Sequence, residues 1–387
     1  MNISTFNSFD GIVLNSVSNI NEKNKIYPRD IEMNVIFGGE SPNELHEVLA
    51  CARGVILKTN SNSQNKEQEI SDSLLDAIDK STSELESFKS WTDGGNAVIG
   101  PIVDILYDSL IQDDTNGTKM EDLMQLLVFD FLLNKEEWGL DSIVNSDEQK
   151  YLGNITENFG SGLHAVYAGY ENDTPSDIVN WFLNTFIVNL KNSGKIPEDS
   201  ITSKLIKLFD DVNNRNKLEQ LARNYTAELE RIDPTNITLS NSLTKSESTT
   251  HLAPTLKFFL LAQAAKEEAV SANNWNAFIH GDIEDIKSFL GLNGGDSSIS
   301  DWLVDPDRNT GWTYDESGQL DFNKGHEGGI PISALLGFFN DFPSRVLSDE
   351  ELKEVNRIGD NVKMIMQTLK YWYQILRDER LAVTRNI

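Results

Sequence analysis

Near the C-terminus apolar residues recur at Val355, Ile358, Val362, Ile365, Leu369, Trp372 and Leu376. The steps alternate between three and four without a slip. That is an a/d seam of period 3.5, which requires another helix to face it. Ser348 to Glu351 read SDEE, a capping box that opens the helix. Residues 348–387 are therefore predicted as a C-terminal coiled-coil helix and tail. A second seam runs through Leu218, Leu221, Tyr225, Leu229 and Ile232, in a helix predicted over 201–232. Leu205, Leu208 and Val212 precede it. The gap from Val212 to Leu218 breaks the heptad phase and predicts a bend or an unwound turn there. Asp233-Pro234 ends the helix. The two seams are expected to pair as an antiparallel coiled coil.

Before the second seam the pattern is helical. Ser41 and Pro42 open one helix as cap and first residue. Leu74, Leu75, Ile78, Leu85 and Phe88 mark one face of another, and a WTDGGN turn follows. VIGPIVDILYDSLI and KMEDLMQLLVFDFLLNKEEW predict two more. Around 140–175 the pattern blurs into loops. Thr174 and Pro175 then open a helix that Gly194 closes. Residues 41–200 are thus predicted as a helical N-terminal domain.

Between the seams the texture changes. NITLSNSL alternates like a short strand, LAPTLKFFLLAQAAKEEAVS reads as an amphipathic helix, and DIEDIKSFLG as a short helix stopped by Gly291. WTY and QLDF are strand-like, and PISALLGFFNDF is a further helix. Residues 233–347 are predicted as an inserted α+β domain. The fold class is mostly α with a small α+β part: a two-lobed rod in which the long coiled coil joins the helical domain to the insert.

Residues 1–40 are polar, rich in Ser and Asn, and lack both a basic n-region and a continuous apolar h-region. They are read as a flexible N-terminal segment and not as a Sec-type signal peptide. No run approaches the ~18 apolar residues of a membrane span; LMQLLVFDFLL is short and broken by Asp130. The formal charge of −28 argues against nucleic-acid and anionic-lipid partners. Cys51 is the single cysteine, so no intrachain disulfide forms, and it lies on the apolar face of a predicted helix.

Candidate chemistry is sparse. His46, His164, His251, His280 and His326 stand outside metal-ligand spacing of one another and of Cys51. No nucleophile elbow, Walker sequence or dinucleotide fingerprint is present. Asp305, Asp307, Asn309 and Glu316 occupy EF-hand positions 1, 3, 5 and 12. The turn glycine, however, is one residue late at Gly311, and no helix follows, so no calcium site is expected. No catalytic residue, cofactor or metal is assigned.

Several stretches together resemble the V-antigen needle-tip proteins of bacterial type III secretion systems. KLEQLARNYTAELERI (217–232) looks like the family's first coiled-coil helix. NITLSNSL and TLKFFLLAQAAKEEA look like the strand and helix after it. DIKSFLG (285–291), WTYDESGQLDF (312–322) and IPISALLGFFNDFPSRVLSD complete the order. The match covers residues ~203–387 and rests on element order more than on identity. The resemblance implies an extracellular, non-enzymatic virulence protein that leaves through the needle on an uncleaved N-terminal signal. It implies a hydrophilic translocator that caps the needle as a ring, a pentamer by analogy, and scaffolds the translocation pore in the host membrane. Implied partners are the needle subunit, the hydrophobic translocators and a small export chaperone. The C-terminal end (Arg377, Arg380, Leu381, Val383, Arg385 and Ile387) is the expected docking element for the needle or a neighbouring subunit. Alternative readings are an invasion-antigen type of tip protein, a secreted effector of the same system, and an enzyme.

Overall fold

A computed structural model describes residues 42–59, 65–112, 117–146, 148–157, 159, 173–229, 252–292, 298–314, 320–322 and 329–385. The chain forms two compact units. A terminal unit combines Met1–Ser83 with Val355–Ile387, and a central unit is Glu84–Glu354. This division differs from the boundaries expected at 40, 200, 232 and 347.

In the terminal unit the described elements are α1 (Pro42–Thr59), α2 (Asn65–Asp93) as far as Ser83, and α15 (Asp349–Arg385) from Val355 onward. All three carry the same period. Leu45, Leu49, Ala52 and Ile56 are buried on α1, and Leu74, Ile78 and Ser81 on α2. On α15, Val355, Ile358, Val362, Ile365, Leu369 and Trp372 are buried. Steps of three and four on each helix suit knobs-into-holes packing. Arg53 on α1 meets Asp79 on α2 at 2.8 Å. The terminal seam thus belongs to one unit with the two N-terminal helices, which corrects the pairing expected with 201–232.

The central unit is organised by α4 (Gly117–Asn134). Every residue from Lys119 to Leu132 is buried. An amphipathic helix leaves one face to solvent; MEDLMQLLVFDFLL is apolar around most of its circumference and must be surrounded. α3 (Asn96–Gln112), α5 (Gln149–Glu157), α8 (Ile201–Phe209), α9 (Val212–Leu229) and α10 (Pro254–Lys266) all pack on it.

The long helix expected over 201–232 is two helices. Asp210 and Asp211 break it, and the Asp211 carboxylate accepts from the backbone N–H of Asn213 at 2.8 Å and Asn214 at 3.2 Å, capping α9. The interruption lies beside the expected phase gap. Leu218, Leu221 and Tyr225 face α4 and α6 (Pro175–Trp181) in the common core. Their apolar face is therefore spent inside the central unit. Ile232 lies outside the described residues, as does the side chain of Leu229.

Thr174 forms a full capping box with Asp177, Pro175 begins α6, and Gly194 closes α7 (Ile187–Ser193) in the left-handed conformation. Between the two helices, Phe182–Phe186 adopts one π-helical turn. The turn keeps Trp181, Phe182, Phe186 and Ile187 all buried, and the Trp181 and Phe186 rings stack at 5.3 Å.

The expected insert is not a separate domain. α10, α11 (Trp275–His280), α12 (Ile283–Phe289), α13 (Ile299–Leu303), the pair β1 (Trp312–Tyr314) and β2 (Leu320–Phe322), and α14 (Ile332–Asn340) share one core with α3 to α9. α10 is also not amphipathic. Leu256, Phe258, Phe259, Leu260, Leu261, Ala262 and Ala264 are buried, covering all sides of the helix. Phe258 reaches Phe129 of α4 edge-on at 5.2 Å and Phe339 of α14 at 6.0 Å. So apolar a segment needs cover on every side, and α4, outside the expected insert, supplies part of it. β1 and β2 pair antiparallel with Trp312 opposite Phe322 and Tyr314 opposite Leu320, as the strand-like runs predict. NITLSNSL and residues 1–40 lie outside the described residues.

Candidate functional site

Helix α15 starts from a built anchor. Ser348 Oγ accepts from the Glu351 N–H at 3.2 Å, and the Glu351 carboxylate accepts from the Ser348 N–H at 2.8 Å, the predicted capping box. Asp349, Glu350 and Glu351 place negative charge at the positive end of the helix dipole. The buried Arg345 guanidinium donates both arms to Glu351, at 2.6 and 2.7 Å. It lies 4.3 Å from the Trp91 ring and 5.9 Å from that of Trp275, and its backbone N–H donates to the Trp91 carbonyl at 2.9 Å. Burial pushes the Glu351 carboxyl up, but the hydrogen bonds and charge of Arg345 and the cap bonds of Ser348 outweigh it and hold it below its usual range.

From this anchor α15 presents two apolar faces. One is the buried seam. The other is exposed and carries Met364, Tyr371 and Ile375. Among the expected docking residues, Arg377 is exposed and pairs with its neighbour Asp378 at 3.1 Å, while Leu381 and Arg385 are exposed on the last turns. Arg380, Val383 and the seam residue Leu376 are helical, but their side chains lie outside the described set, as does Ile387 altogether.

A second concentration of chemistry is buried in α4, where Glu121, Gln125 and Asp130 tie different neighbours. Glu121 accepts from Tyr225 Oη of α9 at 2.7 Å and from the Phe159 N–H at 2.9 Å. Gln125 donates to the Ile155 carbonyl of α5 at 3.0 Å and accepts from Thr255 Oγ1 of α10 at 3.2 Å. Asp130 accepts from the Thr202 N–H and hydroxyl at the start of α8, both at 2.7 Å. Burial pushes the Glu121 carboxyl up to about 7, against the hydrogen bonds from Tyr225 and Phe159. Burial also raises Asp130, against the bonds from Thr202 and Asn134. Both Glu121 oxygens are engaged and enclosed, so this network acts chemically as a set of helix anchors.

Among the described residues no three or more His, Cys, Asp or Glu side chains are grouped to hold a metal ion. In the Asp305 loop the guanidinium of Arg308 sits on the Asp305 carboxylate at 2.6 Å and also meets Glu267 at 2.8 Å. A protein cation thus occupies the first EF-hand ligand position; Glu316 lies outside the described residues. No helix among the described residues is long and apolar enough to cross a membrane.

Sequence reasoning missed three features. The three-and-four steps of α1 predict a helix without an assigned seam, and the face predicted on α2 carries no partner. Met364 and Ile375 hide beside a stronger seam in the same helix, whereas Tyr371, flanking Trp372, reads from the sequence as either seam cover or a partner contact. The polar network on α4 leaves no periodic signal at all. No family model, curated protein or solved structure matches this chain.

Proposed function

We propose that the chain is a non-enzymatic protein-binding component whose docking element is α15, and that its specific role is needle tip of a type III secretion system. The observation that carries the reading is the exposed apolar face of α15, with Met364, Tyr371 and Ile375 on the solvent side of a helix whose other face is already buried. A helix of one compact unit does not need a second apolar face for its own folding, and such a face marks an interaction site. The resemblance over ~203–387 supplies the particular partners: needle subunit, hydrophobic translocators, an export chaperone, and further copies in a ring at the bacterial surface. The rod built on pairing 201–232 with α15 is not part of the proposal, because Leu218, Leu221 and Tyr225 are core residues of the central unit.

The test is electron microscopy of needles purified from the bacterium that encodes the chain. Added full-length protein should give tip density, and a form lacking Leu381–Ile387 should melt at the same temperature yet leave needles bare. Needles that stay bare with the full chain, under conditions where it is folded, would remove the needle-tip reading.

A further inference from the structure

Met364, Tyr371 and Ile375 are 60%, 70% and 57% exposed. Their spacing of seven and four, continued by exposed Ala382 seven residues on, stacks them on one line of the helix, about 27 Å long. The buried seam lies roughly a third of a turn around the helix from this line. The line therefore marks a second, partly apolar seam, whose intervening heptad positions hold Thr368 and Asp378.

Its surroundings are basic. Lys353 and Arg357, both exposed, continue the line towards the start of the helix, and Arg385 stands at its far end. Lys363, Lys370 and Arg377 form a parallel row at seven-residue intervals along one edge. The opposite edge carries Asn361 and Thr368 in its middle, with the acidic Glu354 and Glu379 towards its two ends. Asp360 and Asp378 pair with Lys363 and Arg377 at 3.5 and 3.1 Å, but exposed pairs of this kind hold weakly and exchange partners. From Lys353 to Arg385 there are seven basic and four acidic side chains, in a chain whose formal charge is −28. The local sign is the reverse of the molecule's.

We propose that this second seam binds an acidic amphipathic helix of another protein, with its apolar residues on Met364, Tyr371 and Ile375 and its carboxylates along Lys363, Lys370 and Arg377. The charge pattern selects that occupant over a second copy of the chain. An antiparallel second copy would set the basic row against itself, and flanking like charges disfavour a coiled-coil pair. The three apolar side chains also expose only on the order of 400 Å², against ~800 Å² per partner in a stable interface, so charge pairs along the edge must add to the contact.

The inference rests on the reading of α15 as the docking element. Its test uses the full-length chain and two synthetic three-heptad peptides with the same leucine seam, one flanked by Glu and one by Lys, titrated by calorimetry in low and high salt. The Glu peptide should bind at least tenfold tighter than the Lys peptide, and the gap should close in high salt. The triple variant Lys363→Glu, Lys370→Glu, Arg377→Glu should invert the preference. Tyr371→Ser with Ile375→Ser should abolish binding of both; all five positions are at the surface, and circular dichroism checks that the fold is kept. Equal affinity for the two peptides, or no binding of either, overturns the inference. So does a dimer in sedimentation that Ile375→Ser dissolves, since a second copy would then own the seam. Because the probe is not a needle, lost discrimination with normal needle decoration removes this inference alone, and bare needles with intact discrimination remove only the needle-tip role.

Discussion

The Glu121→Gln substitution should make the chain more stable, and only above mildly acidic pH. Glu121 is fully enclosed, and burial raises its carboxyl from an ordinary 4.5 to about 7. A rise of about two and a half in pKa corresponds to roughly 3 kcal/mol. Below about pH 4.5 the proton is bound in both folded and unfolded chains, so the group contributes nothing to the pH dependence. Between there and pH 7 the unfolded chain releases the proton while the folded chain keeps it, and stability falls as pH rises. Above 7 both states are ionised and the penalty stays constant. Glutamine does not titrate, and its carbonyl oxygen can accept from the Phe159 N–H while its amide donates to Tyr225 Oη. Urea unfolding of both proteins, followed by tryptophan fluorescence from pH 4.5 to 7.5, isolates the effect. Asp104 and Asp130, also raised by burial, are common to both and cancel in the difference. The variant should gain about 3 kcal/mol relative to the parent across that range. A difference that stays flat to within ~0.5 kcal/mol would refute the enclosed-carboxyl argument.

Ile365→Asp places an unpaired charge in the buried seam and should cost at least ~3 kcal/mol in a thermal or urea melt, whereas Thr368→Asp, one turn on and exposed, should cost little. Arg345→Lys keeps the charge but loses the two-armed bond to Glu351 and the guanidinium face on Trp91, for a loss of about 2–4 kcal/mol at pH 7. Because the folded Glu351 carboxyl is lowered, that loss should shrink as pH falls through its folded pKa, and unfolding curves at pH 3 and 7 would check it. Gly329→Ala should destabilise by several kcal/mol: φ is +84°, and a Cβ would meet the backbone of Gly153 and Asn154 at 2.4 Å, beside the bond from the Ile330 N–H to the Gly153 carbonyl. A urea midpoint unchanged from the parent would contradict that close approach.

How much of this was legible in the sequence depends on range. Local rules worked where the deciding atoms are neighbours. The boxes at Thr174 and Ser348, the left-handed Gly194, the WTY and LDF strands and the periodicity of α15 all depend on residues within a few positions. Partner choice did not follow from those rules. A heptad seam states that a helix must be faced and not by which one, so the seam at 355–376 and that at 218–232 looked like mutual partners. What broke the tie was the excess apolar surface of α4 and α10, which calls for more neighbours than one domain of the expected boundaries holds. The buried network was illegible for the same reason. Glu121 and Tyr225 lie 104 positions apart; Glu121 alone reads as an ordinary surface residue of a helix, and Tyr225 as one more apolar seam position whose hydroxyl partner is unspecified.

The tie between Arg345 and Trp91 also bears on the order in which the chain can fold. The terminal unit is discontinuous: its two parts are separated by the whole central unit, some 270 residues. Closing a loop of that length in an unstructured chain costs about 5 kcal/mol of entropy, a large share of what a three-helix assembly can return. The central unit is continuous and can form first. Once formed, it holds the end of α2 and the lead into α15 together through the hydrogen bond from the Arg345 N–H to the Trp91 carbonyl, so the long loop is already closed. The two parts of the terminal unit then come together at the cost of a short connection, and the rate at which that unit assembles is governed by residues outside it.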